Sequence, residues 1–131
     1  MQLVRVFNQT RGTAVGERIE LADTSFTRMW GLLGRSGLSA GGGLWIRPSS
    51  GVHTLGMKFP IDVVGLDKEM RVVKVWHRLA PFRVTSVSLN IRSVIELAAG
   101  TINEIGIEVG DLLQISSVAT ASRCSCGVQR V

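Results

Sequence analysis

This 131-residue chain predicts a mainly β domain, a β-sandwich or partly closed barrel with two short helices. Three observations carry that expectation. Short apolar runs with two-residue alternation recur along the chain, and clusters of Gly, Pro, Asn or Asp punctuate them. Only two stretches, about 24–33 and 101–105, carry helical signals. Hydrophobic residues make up 45% and charged residues 19%, a globular rather than a disordered balance. The length suits one domain of about 100–200 residues, large enough to bury a core without disulfides or metal. We expect that domain over residues 1–116 and a flexible tail over 117–131, where Ser, Ala, Thr, Arg and Gly dominate.

Residues 2–7 alternate, with Leu3, Arg5 and Phe7 on one face and Val4 and Val6 on the other. They predict a first strand. Asn8 to Gly12 is turn chemistry, and residues 15–21 complete a hairpin. Asp23 or Thr24 offers an N-cap oxygen, and Phe26, Met29, Trp30 and Leu33 follow at helical spacing. A helix this short must be held by packing its apolar stripe on a sheet. Ser39 to Gly43 reads as a loop, because its triple glycine lacks the Gly-Lys-Ser/Thr ending of a phosphate-binding loop.

Leu44-Trp45-Ile46 resumes as a strand. Residues 52–59 and 61–66, separated by Pro60, are expected to form the central strand pair. A turn follows at Asp67-Lys68-Glu69. The strand at 71–79 is expected to alternate, with Val73, Val75, His77 and Leu79 opposite Val72, Lys74, Trp76 and Arg78. Residues 93–97 and 112–115 give the last strands. Between them Thr101-Ile102-Asn103-Glu104 has the spacing of a capping box, and Ile105-Gly106 ends that helix.

The least ordinary chemistry lies in residues 51–67, where His53, Thr54, Lys58 and Asp62 stand within ten residues among apolar neighbours. His53 has the side chain whose proton equilibrium lies nearest neutral pH, and it suits a base or a ligand contact. The plain alternative is a histidine bonded to a neighbouring strand. Lys58 and Asp62 could grip a polar or anionic ligand. They could equally form an exposed ion pair worth under about 1 kcal/mol, and Asp62 could instead accept backbone N–H bonds in the turn after Pro60. Glu96 interrupts the apolar run 94–97, so it either faces solvent or requires a partner; Arg47, Arg71 and Lys58 are candidates.

A metal site would draw on His53, His77, Asp62 and Glu96, but no tight ligand motif joins them, and we expect neither metal nor cofactor. Cys124 and Cys126 supply at most two ligands where structural zinc normally takes four, and they read as incidental thiols. No G-x-S-x-G motif marks a nucleophile. Trp45 and Trp76 could stack a sugar or base, though large aromatics usually serve the core.

The net charge of +5 raises the question of nucleic acid. The basic residues are scattered and no nucleic-acid motif occurs, so nucleic acid is the less favoured partner. No apolar run approaches the roughly 20 residues of a membrane span, and no secretory signal is visible. Cytoplasmic residence is the expectation.

Several blocks together resemble the domain-of-unknown-function family 192. They are Met57-Lys58 with Pro60-Ile61-Asp62, the run Val94-Ile95-Glu96-Leu97-Ala98-Ala99-Gly100-Thr101, and Gly106-Ile107-Glu108-Val109-Gly110-Asp111. Residues 27–38, with Gly31-Leu32-Leu33 and Arg35, are similar to its upstream block. The resemblance covers roughly residues 15–115 and implies a mainly β fold without implying an activity. The chain departs from the family's usual Met-Lys-Asn-Thr, since only Phe59 separates Lys58 from Pro60. His53-Thr54 before Met57-Lys58 resembles a distinct branch.

These readings converge on a binding module for a small polar or anionic ligand, carbohydrate among them, at a pocket drawn from Arg47, His53, Thr54, Lys58, Asp62 and Glu96. A small hydrolase using His53 and Asp62 is the enzymatic alternative, and the balance leans against an enzyme. An accessory that binds a protein partner through a sheet edge is the third reading.

Overall fold

The computed structural model describes residues 2–22, 41–48, 59–80 and 90–117. Its described strands are β1 (Leu3–Asn8), β2 (Thr13–Ala22), β3 (Gly42–Ile46), β4 (Ile61–Leu66), β5 (Val72–Leu79), β6 (Ser93–Ala98) and β7 (Leu113–Ser117). One helix, α1 (Thr101–Ile105), joins β6 to β7. All seven strands lie in one sheet, ordered β5-β4-β6-β3-β2-β1-β7. Every neighbouring pair is antiparallel except β2 and β3. Parallel pairing requires a crossover between the strands. Residues 23–40, which hold the expected helix 24–33, lie outside the described residues.

The sheet curls until its two edges touch. Arg71 bridges Leu112, Val72 N–H donates to the Asp111 carbonyl at 2.8 Å, and Leu113 N–H donates to the Met70 carbonyl at 2.9 Å. The expected partly closed barrel is therefore the form adopted, and the described strands do not divide into the two sheets of a sandwich. Joining β5 to β7 at one corner pairs backbone groups that an open edge would leave exposed.

Curling gives the sheet an inner and an outer apolar face. Val4, Val6, Ile19, Leu21, Trp45, Val64, Leu66, Ile95 and Leu97 fill the inner one, with Ile102 of α1 and Leu113 of β7. Leu44, Ile46, Ile61, Val63, Ile91 and Val94 form the outer one, joined by Phe59, Val73, Trp76 and Leu79. Strands covered on both faces read as unbroken apolar runs, and all six residues of β4 are buried.

A polar knot secures the corner where the edges meet. Asn8 Nδ2 donates to Asp111 Oδ2 at 2.8 Å and Arg11 Nε donates to the same oxygen at 2.7 Å. The Glu108 N–H adds a third bond at 3.0 Å, and Arg11 also pairs with Glu108 at 3.0 Å. Burial raises the Asp111 pKa, but the bonds from Asn8, Arg11 and the Glu108 amide outweigh it and hold the carboxyl below its ordinary value.

Several local expectations change. Gly42 and Gly43 belong to β3 rather than to a loop. A side chain on Gly43 would run into the Glu96 carbonyl oxygen of the adjacent strand, so close backbone approach explains the glycine. The simple alternation expected for 71–79 fails because the β4–β5 ladder shifts register twice, between Ile61 and Val63 and between Gly65 and Leu66. Val73, Trp76 and Leu79 consequently join the outer face. Beside β4 stand β5 and β6, and residues 52–58, its expected partner, lie outside the described residues. The capping box at 101–104 does not form. The N-cap is Gly100, left-handed at φ 93°, and Gly106 closes the helix through an N–H bond to the Ile102 carbonyl at 2.9 Å.

Candidate functional site

Three of the six residues singled out from the sequence are described, and the sheet separates them. Asp62 lies opposite Leu97 and Glu96 lies opposite Val63 in the β4–β6 ladder. Neighbouring positions on a strand point to opposite faces, so Asp62 enters the inner core and Glu96 the outer one. They cannot hold one ion between them. His77, the remaining carrier of metal chemistry in that set, is exposed on β5. His53, Thr54 and Lys58 lie outside the described residues.

Asp62 is fully buried and its oxygens are engaged by main chain. Oδ1 accepts the Arg78 N–H at 2.8 Å, and Oδ2 accepts the Gly100 and Ile102 N–H groups at 3.0 and 2.9 Å. Arg78 has a positive φ of 49°, rare for a residue with a side chain, and the bond to Asp62 fixes its amide there. The same carboxylate satisfies the first amides of α1, which otherwise have no partner within the helix. One β4 side chain thus caps a helix distant in sequence and ties it to β5. The donors differ from those anticipated, since they come from β5 and α1 and not from the turn after Pro60.

Glu96 occupies the opposite situation. It is 3% exposed at the middle of β6, flanked by Leu44 of β3 and Val63 of β4. Among the described residues no group donates a hydrogen bond to its carboxyl. Burial pushes its pKa up to about 8, because removing an unpaired charge from water disfavours the ionised form. At neutral pH the group is therefore mostly a neutral acid, able both to donate and to accept. Half-buried Glu20 stands on the same face one strand beyond Leu44. Sequence reasoning passed over it, although its alternation within β2 is the signal that places it there. Phe59, the residue after Lys58, packs on this outer cluster.

Arg47 is not on that face. It follows Trp45 by two positions, and its guanidinium stacks 4.6 Å above the centre of the Trp45 ring. Trp45 belongs to the inner core, so Arg47 is not the partner of Glu96. Among the described residues no cluster of three or more His, Cys, Asp or Glu side chains could hold a metal. No described helix is long and apolar enough to cross a membrane.

Comparison with known proteins agrees with this fold. The sequence profile of DUF192, described as an uncharacterized ACR, matches residues 6–115. A UPF0127 protein of Thermococcus gammatolerans is 30% identical over 113 residues, 82% of this chain and 72% of that one. Another, from Thermococcus sibiricus, is 30% identical over 111 residues, covering 81% and 71%. A crystal structure of a protein of unknown function from Novosphingobium aromaticivorans superposes with a TM-score of 0.73 at 23% identity, covering 86% of this chain and 83% of that one. That likeness speaks to the fold alone. The chain belongs to the DUF192 family.

Proposed function

We propose that the protein is a non-enzymatic binding module for a small polar ligand, and that Glu96 is the group that receives it. A carboxyl enclosed by Leu44 and Val63, with no donor among the described residues, is costly to keep. That observation carries the reading. A ligand that both donates and accepts offsets the cost, and a neutral acid pairs naturally with hydroxyl groups. Carbohydrates and polyols are the first ligand class, and small organic acids the second. His53, Thr54 and Lys58 are proposed to complete the site, supported by the packing of Phe59 on the same cluster. Asp62 belongs to its framework.

The test is a thermal-shift panel of mono- and disaccharides, polyols and small organic acids on wild type, Glu96→Gln and Glu96→Leu. A ligand that binds only the folded state raises Tm by mass action. We expect one class to stabilise the wild type, a smaller effect in Glu96→Gln, whose amide still donates and accepts, and none in Glu96→Leu. A panel without any stabilising compound contradicts the reading. Chemical conversion of a stabilising compound, abolished in Glu96→Leu, replaces it with an enzymatic one.

A further inference from the structure

The seam where β5 meets β7 is the shortest strand contact in the sheet. The β4–β6 ladder pairs residues 61–66 with 93–98 along their whole length. Residues 70–72 and 110–113 meet instead, among the described residues, around one bridge between Arg71 and Leu112. Val72 N–H donates to the Asp111 carbonyl and Gly110 N–H returns to the Val72 carbonyl, both at 2.8 Å. Leu113 N–H reaches the Met70 carbonyl at 2.9 Å, and Arg71 Nη1 reaches the Gly110 carbonyl at 2.8 Å. Opening free energies vary across a fold, and a contact this short parts at lower cost than a full ladder.

The two halves of the seam are built differently. Residues 67–71 hold themselves, since Asp67 Oδ1 accepts the Glu69 and Arg71 N–H groups, both at 2.9 Å. The opposite half depends on Asp111. Its Oδ2 collects Asn8, Arg11 and the Glu108 N–H, and its own N–H donates to the Glu108 carbonyl at 3.1 Å. Those bonds close the turn 108–111 and anchor it to the β1–β2 turn. They thereby aim the Gly110 N–H and the Asp111 carbonyl at Val72. A cavity of about 530 Å³ lies against the seam, with Met70, Leu112 and Leu113 in its wall.

We propose that this seam is a latch with Asp111 as its clasp. Residues 108–113 part from 70–72 as one unit while the rest of the sheet stays paired. Asp111 is a positioning residue, because its side-chain bonds all lie on its own side of the seam. The cavity shares Met70 and Leu113 with the seam, so parting widens it. The latch stands independently of the reading given to Glu96.

Native-state hydrogen exchange, followed by NMR at several low urea concentrations, tests the proposal on the full chain. In the wild type the Val72, Gly110 and Leu113 amides should exchange at similar opening constants. We expect these to be about tenfold or more above those of the slowest β4 and β6 amides. Their urea dependence should be weaker, because a local opening exposes little surface. Asp111→Asn, which keeps the size and removes the charge, should raise the three opening constants by a further tenfold or so, as loss of a charge-assisted bond implies. Arg11→Gln, at an exposed position, should move them in the same direction and decides the matter where Asp111→Asn does not fold. Seam amides that share the rates and urea dependence of the slowest β4 and β6 amides overturn the proposal, since the seam then opens only with the whole protein. Seam exchange unchanged in the folded variants overturns it as well, since Asp111 is then no clasp.

Discussion

Two carboxylates on paired strands, Asp62 and Glu96, meet opposite fates because one is surrounded by N–H groups and the other by aliphatic carbon. Asp62 accepts three backbone donors, and its loss would leave all three without their acceptor, the Ile102 amide in the buried interior and the other two partly buried. We expect Asp62→Ala to cost on the order of 3 kcal/mol or more, read as a lower urea midpoint. An unchanged midpoint would mean that water or a neighbour replaces the carboxylate without loss. For Glu96 the folded pKa, about 8, lies above the ordinary value of 4.5. The folded state therefore holds a proton that the unfolded chain releases, and stability falls as pH rises between those two values. Glu96→Gln removes that dependence. Its Tm should match the wild type near pH 4.5 and exceed it near pH 9, by the equivalent of a few kcal/mol. Parallel Tm profiles for the two proteins from acid to alkaline pH contradict the assignment.

At the scale of elements, strand positions were legible because apolar alternation and turn residues are local signals. β1, β2, β4 and β6 fall within a residue or two of their expected bounds. What failed depended on contacts between strands. Gly42 and Gly43 look like a loop in isolation, and only the β6 backbone lying against Gly43 explains a strand glycine. We expect Gly43→Ala to destabilise by about 1–3 kcal/mol, as overpacking does; thermal melting with a Tm equal to the wild type would show that β3 and β6 separate freely. The capping box failed for a related reason. Thr101 and Glu104 have the right spacing, but the helix is capped one residue earlier at Gly100, whose carbonyl takes the Glu104 N–H, and the Gly100 and Ile102 amides are reached by Asp62 from across the sheet, a partner about forty residues away that no local pattern reveals.

For the whole molecule, curling joins β5 to β7 at one corner and gives the sheet two apolar faces, the inner one holding Trp45 and the outer one holding buried Glu96 opposite Val63. The motif 53–62 and Glu96 were legible as unusual chemistry because polar residues interrupt apolar runs. Their assignment to one pocket was not, since a one-residue step along β4 or β6 reverses the face. Asp62 and Arg47 point inward for that reason while Glu96 points outward. The binding role proposed for Glu96 requires that it be a neutral acid at neutral pH. The most direct measurement is an NMR titration of its side-chain carboxyl carbon in the folded protein. A midpoint near 8 is expected, so that most of the group is protonated at neutral pH. A midpoint in the ordinary carboxylate range would mean that Glu96 is ionised and already partnered, and the binding role proposed for it would fall.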